Sequence, residues 1–355
     1  MSLPFTSAPT HICLLRLSAV GDVCHALPVV RTIQAQWPKT HITWIIGRLE
    51  ASLIGDIPGV EFIIFDKSRG IAAYRDLRQT MKGQHFDALL HMQMSLRASL
   101  ISLLVPTKIR LGFDRERAKD LQWLFSNHKI AHQPQQHVVD SFFGFAEAIG
   151  IKERTLEWSI PIPPEAEQFC DQHVSNDGRR LLVISPCSSM SYRNWNVAGY
   201  AAVADYAFEQ HNMQVIISGG PAAIEQQYGE DISQLCQHKP LNLVGKTNLK
   251  QLLALLDRAT VVVAPDSGPA HMATAVNTPV IGLYATTNPD RARPYLSAEF
   301  VANRYPEAIE KKHHKRVDEL PWGTRVRDEG TMDLITSDEV RAMLDRIVMK
   351  PAQTG

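Results

Sequence analysis

Short apolar runs alternate with amphipathic stretches along this chain, and the whole pattern occurs twice. In the first half the runs are ICLLRL (12–17), HITWII (41–46), EFIIF (61–65), DALLHM (87–92) and KIRLGF (108–113). In the second they are RLLVIS (180–185), QVIIS (214–218), LNLVG (241–245), TVVVAP (260–265) and PVIGLY (279–284). Runs this short and this rich in Val, Ile and Leu suit strands buried on both faces. The spacing predicts helices over 23–36, 196–211, 247–257 and 336–348, the first of them ending before Trp37–Pro38. Strand, helix, strand, repeated twice over, means an α/β protein with two doubly wound parallel sheets facing across a cleft. IPIPPEAEQF (160–169) and SNDGRR (175–180) have linker composition. Domains over 1–168 and 169–335 follow, with 336–355 as a closing helix that packs back on the first.

Composition narrows the partners. The 355 residues carry 37 basic and 37 acidic side chains, and zero net charge argues against nucleic acid. The basic charge is uneven: Arg97, Lys108, Arg110, Arg115, Arg117 and Lys119 face two acidic residues in the same stretch, and KKHHKR (311–316) forms a second cluster. Five dispersed cysteines with no CxxC pair read as reduced thiols of a cytosolic protein. No apolar run approaches the roughly 20 residues that span a bilayer, and the N-terminus lacks a signal pattern. A cytoplasmic protein is expected, with peripheral contact at the inner face of the inner membrane left open.

The chemistry gathers where strands end, since ligands of such sheets bind beyond their carboxyl ends. After TVVVA comes APDSGPAHMATA (264–275): Asp266, Ser267 and Gly268 precede a helix with Pro269 near its start and His271 in its first turn. Free N–H groups at such a start suit a phosphate, although Asp266 or Ser267 could equally be a plain N-cap. SPCSSMSYRNW (185–195) offers Ser188, Ser189 and the forked cation Arg193, which suits a diphosphate. SGGPAAIEQQ (218–227) adds a glycine turn and Glu225. Together they describe a nucleotide pocket, while GxGxxG and GxxxxGK[ST] are both missing. Asp22 follows the first strand, in RLSAVGDVCHALP (16–28). It reads either as a helix cap or as a general base, which takes a proton from an incoming hydroxyl. Pro28 fits a helix only near its first turn, which places the helix start just beyond Asp22.

RLSAVGDVCHALP (16–28), SSMSYRNW (188–195), SGGPAAIE (218–225) and APDSGPAHMATA (264–275), with YATTNP (284–289) behind them, resemble glycosyltransferase family 9, the lipopolysaccharide heptosyltransferases that use ADP-heptose. The resemblance implies a GT-B fold of two Rossmann-like domains, acceptor in the first and nucleotide-sugar in the second. It implies an inverting reaction with Asp22 as catalytic base. Ser188, Ser189, Glu225, Asp266, Ser267, Gly268 and His271 would hold the donor. Arg193 replaces the Lys usual in the family's Lys-x-Trp element and would stabilise the departing diphosphate. No Asp-x-Asp occurs, so neither a catalytic metal nor another cofactor is expected. The acceptor would be the anionic Kdo and heptose inner core of lipopolysaccharide on lipid A, met by Arg115, Arg117, Lys119 and His137. The competing readings are a GT-B transferase with another nucleotide-sugar and a non-catalytic nucleotide-binding protein.

Overall fold

The computed structural model describes residues 3–349. The chain divides into two compact units between Pro161 and Ile162. The first unit holds β1 (His11–Leu15), β2 (His41–Gly47), β3 (Glu61–Phe65), β4 (Ala88–His91), β5 (Arg110–Gly112) and β6 (His128–Lys129). The second holds β7 (Leu181–Ile184), β8 (Gln214–Ile217), β9 (Leu241–Asn242), β10 (Val261–Pro265), β11 (Val280–Tyr284) and β12 (Val301–Asn303). Each set forms one six-stranded sheet, in the orders β3-β2-β1-β4-β5-β6 and β12-β11-β10-β7-β8-β9. Every pairing is parallel. The strand order reverses between β1 and β4 and again between β7 and β10, and such switch points open a crevice at the carboxyl ends. The expected α/β class is what the chain adopts. The edge strands β6 and β12 escape the sequence pattern because two or three residues (His-Lys, Val-Ala-Asn) carry no periodicity.

Burial follows the apolar runs. Ile12, Cys13, Leu14 and Leu15 of β1 are fully buried, as both-face coverage by helices requires. One face of the first sheet packs Cys13, Leu15, Ile45 and Phe65 on Ala73, Leu77, Ala98 and Ile101 of two helices. In the second unit Leu182, Ile184, Val263 and Ile281 meet Tyr200, Ala204 and Ala207 of the helix Val197–His211.

The first helix, Val20–Gln36, contains Pro28 in its interior, against the expectation that a proline there must sit near the start. Proline has no N–H, so the Cys24 carbonyl one turn back loses its helical partner. The Trp158 indole Nε1–H donates to that carbonyl at 2.8 Å. Around it, the Thr155 N–H donates to Thr32 Oγ1 at 2.9 Å, and Arg31 Nε and Nη2 donate to the carbonyls of Trp158 and Ser159. The irregular segment 155–159 is thereby strapped to the helix and repairs it.

Two boundary expectations change. A break at 168/169 would cut the helix Pro164–His173, which belongs to the second unit: Arg258 pairs there with both Glu167 and Asp171, each at 2.7 Å. The closing helix, Ser337–Met349, buries Val340, Leu344 and Ile347 in the second unit's core. Their i, i+4, i+7 spacing makes one apolar face, and the helix Val197–His211 takes it. Tyr206 Oη and His211 Nε2 meet Asp345 at 3.0 and 2.7 Å, locking that register. Its apolar face is thus occupied within the second unit, where a return to the first domain was expected. Among the described residues no helix is long and apolar enough to cross a membrane.

Candidate active site

In the second unit one sheet edge collects the predicted donor residues. Asp266 follows β10 directly and is buried with 8% of its surface exposed. Arg193, from the short turn after β7, reaches it twice: Nη1 lies 3.1 Å from Asp266 Oδ2 and donates to the Asp266 carbonyl at 3.1 Å. His271 Nε2 lies 3.6 Å from Oδ1. Burial pushes the Asp266 carboxyl up, but His271 and the charges of Arg193 and Arg291 outweigh it and hold it below the usual range. Asp266 is thus an ionised anchor that fixes Arg193 and His271, with no geometry of a cap. Ser267 stands at the N-cap position of the helix Gly268–Ala275, yet its hydroxyl makes no cap hydrogen bond. Its Oγ is buried without a partner, as are Arg193 Nε and Tyr192 Oη. Buried polar atoms are seldom left so; Ser267 stands at the start of the helix itself, and Arg193 is tied to Asp266 just before it.

The other predicted donor residues divide. The Ser188 N–H donates to Asn194 Oδ1 at 2.8 Å, which folds the loop, while Ser189 is exposed. Glu225 sits in the first turn of the helix Ala223–Leu235 and accepts the Gly220 N–H at 2.6 Å. A Cβ on Gly220 would stand 2.9 Å from its Oε1, so the glycine turn exists to let this carboxylate close on the backbone. Glu225 holds the loop.

In the first unit Asp22 lies in the first turn of the helix Val20–Gln36, where its Oδ2 accepts the Ala19 N–H at 3.2 Å. The Ser18–Ala19 peptide is cis. The same oxygen pairs with Arg16 Nη2, and the Asp22 side chain keeps 36% exposure. Arg16 itself is 8% exposed, gives Nη1 to the Met92 carbonyl at 2.7 Å and lies 5.4 Å from the Phe142 ring centroid. The loops after β1 and β4 are tied again by Gln93, whose Oε1 accepts the Leu17 N–H at 2.6 Å. Behind them His91 is fully buried, its Nδ1 accepting from Gln122 Nε2 at 2.7 Å. Burial, reinforced by Arg16, pushes its pKa down to about 3, so the ring is neutral. Asp22 is therefore a partly open carboxylate on a rigid, cation-backed mount at the β1/β4 switch point.

The predicted acceptor residues are unequal. Arg117 is taken up internally: it pairs with Asp114 and donates to Gln136 Oε1, Ser141 Oγ and the Ala131 carbonyl. Arg110, counted in the same basic run, gives its guanidinium to the carbonyls of Ser102, Thr107 and Val105. A forked cation among loop carbonyls is a loop fastener. His137 is buried, and its Nδ1 caps the helix Val138–Ile149 by accepting the Val139 N–H at 3.1 Å. Arg115 and Lys119 are exposed, Arg115 resting 4.9 Å from the Trp123 ring centroid.

Residue reasoning missed part of the donor edge. Thr286, Thr287 and Asn288 follow β11, beside Asp266, and all are buried. Thr287 Oγ1 and Asn288 Nδ2 have no partner. The signal was present in YATTNP (284–289): three small polar residues at a strand's carboxyl end. Arg16 was hidden because it lies inside an apolar run, ICLLRL (12–17).

The family model for glycosyltransferase family 9 (heptosyltransferase) matches residues 74–320. The chain is 43% identical to the lipopolysaccharide core heptosyltransferase OpsX of Haemophilus influenzae, over 97% of this chain and 98% of that protein. Solved structures share the fold. A family 9 glycosyl transferase from Veillonella parvula aligns at TM-score 0.80 and 20% identity, covering 96% of this chain and 98% of that one. The E. coli ADP-heptose lps heptosyltransferase II aligns at 0.73 and 20%, covering 96% and 99%. Two parallel sheets of GT-B type, a cation-backed carboxylate after β1 and a polar edge after β7, β10 and β11 agree with these matches, and the chain belongs to glycosyltransferase family 9, the heptosyltransferases.

Proposed function

We propose that this enzyme moves heptose from ADP-heptose to the Kdo and heptose inner core of lipopolysaccharide, inverting the anomeric centre. Asp22 takes the proton of the acceptor hydroxyl, the oxygen attacks the anomeric carbon, and ADP departs from the opposite face. Arg193 and the N–H groups of the helix Gly268–Ala275 receive the charge that develops on the diphosphate. Asp266, itself beside His271, holds Arg193 in place, and the reading includes no catalytic metal. The observation that carries it is the donor edge: a paired Arg193–Asp266 beside partnerless buried atoms of Tyr192, Ser267, Thr287 and Asn288. The ADP carried in the name of the E. coli WaaC structure supports adenine as the base. The name of the Haemophilus relative supports the lipopolysaccharide core as acceptor.

Exposed Arg115 and Lys119 suit a phosphorylated, Kdo-bearing acceptor. Such an acceptor is lipid-borne, and exposed Leu96, Leu100 and Leu103 beside Arg97 support peripheral contact with its membrane. The test is ADP release from purified protein given ADP-heptose and a heptose-free, Kdo-bearing lipid A, with UDP- and GDP-sugars in parallel. Acceptor-dependent ADP release is expected, falling about 10²–10⁴-fold in Asp22→Ala while ADP binding persists. Full turnover by Asp22→Ala would remove the base assignment, and turnover with UDP- or GDP-sugars alone would remove ADP-heptose.

A further inference from the structure

β1, β2 and β3 each begin with a chemically able side chain: His11, His41 and Glu61. The parallel register sets His11 beside His41, and Thr43 beside Glu61. Because side chains alternate along a strand, these four share one face of the sheet. Their polar atoms form a chain: His11 Nε2 to Thr43 Oγ1 at 2.8 Å, Thr43 Oγ1 to Glu61 Oε2 at 3.1 Å, Glu61 Oε2 to His41 Nε2 at 3.1 Å. One ligand atom from each of His11, His41 and Glu61 lies within 4.8 Å of the others, a grouping found once among the described residues.

We propose that His11, His41 and Glu61 bind one divalent transition-metal ion of the zinc class, with water completing the shell. Tetrahedral zinc with bonds of about 2.0–2.1 Å sets its ligand atoms roughly 3.3 Å apart. The His41–Glu61 pair already stands at 3.1 Å, and both side chains are about half exposed, free to turn the remaining distance. His11 is the fixed member, with its ring packed 4.3 Å from the Phe86 centroid. Two imidazoles and a carboxylate suit zinc, cobalt or nickel better than magnesium or calcium.

The site lies at the opposite end of β1 from Asp22 and takes no part in the transfer. Its work is to cross-link three strands whose order nothing else fixes covalently. Metal bound there stabilises the folded chain, because the unfolded one has no preformed site.

The test uses the full chain freed of metal by chelator, titrated with Zn²⁺ by calorimetry and with Co²⁺ by visible absorption. Wild type is compared with His41→Ala and Glu61→Gln, two surface changes that should leave the far-ultraviolet dichroism unaltered. About one equivalent of Zn²⁺ is expected, with a tetrahedral Co²⁺ spectrum and a zinc-dependent rise in melting temperature. Each variant should lose affinity on the order of tenfold or more, together with the thermal response. No stoichiometric binding overturns the proposal and leaves a hydrogen-bonded cluster only. Undiminished binding by both variants overturns it equally, and directs attention to His313 and His314.

Discussion

Arg193 and Asp266 face each other with side chains 13% and 11% exposed, so neither is solvated well enough to stand alone. Removing one partner of such a pair costs more than the pair contributes, because the other charge stays buried. Arg193→Ala is therefore expected to lower stability by about 3 kcal/mol in urea unfolding as well as to slow turnover. Arg193→Lys, the family's usual residue, should recover most of the stability. The neutral, buried His91 makes a second prediction. Its pKa is about 3 in the fold against an ordinary 6.5, so between those values the unfolded chain binds the proton and the folded one does not. Unfolding free energy then rises with pH across that window, by at most about 1.4 kcal/mol per unit from this group. His91→Asn keeps an acceptor for Gln122 Nε2, and its stability should fall less steeply from pH 6.5 downward. An identical acid limb would remove His91 as the cause.

Elements test the sequence reading differently. The most deeply buried apolar runs became strands because burial on both faces leaves an unbroken hydrophobic signature, as in Val261–Pro265, whereas EFIIF became an edge strand with Ile64 55% exposed. The donor edge was legible for the same reason: Asp266, Ser267 and His271 interrupt such runs with polar residues at a fixed place. What failed depended on partners distant in sequence. Pro28 is compatible with a helix interior only because Trp158 supplies the missing donor. Arg117 looked like a ligand for anions because nothing local announces Gln136, Ser141 and Ala131 as its partners. The Pro28–Trp158 arrangement can be checked by a cycle. Trp158→Phe should cost about 1–3 kcal/mol by leaving the Cys24 carbonyl unpaired. In the double variant Pro28→Ala with Trp158→Phe, the introduced alanine restores the helical N–H and the loss should be smaller. Simple additivity would show that the indole contributes packing alone.

At the scale of the molecule, each unit has its own sheet, its own core and its own switch point. The donor edge draws on β7, β10, β11 and the loops after them, all within residues 162–355. That portion expressed alone is expected to fold and to bind ADP by calorimetry, yet to release none from ADP-heptose because Asp22 is lacking. An unfolded fragment by dichroism would mean that the second core depends on the first unit. Its closing helix favours independence, since Val340, Leu344 and Ile347 seal the apolar face of that same unit. All five cysteines are buried, and burial pushes Cys24, Cys187 and Cys236 up to about 12 and Cys170 to about 11. The folded enzyme thus presents no exposed native thiol to a thiol-selective maleimide dye. A cysteine introduced at an exposed position such as Ser189 would be the sole labelled atom, and an optical reporter could watch the donor edge without first stripping the natural thiols.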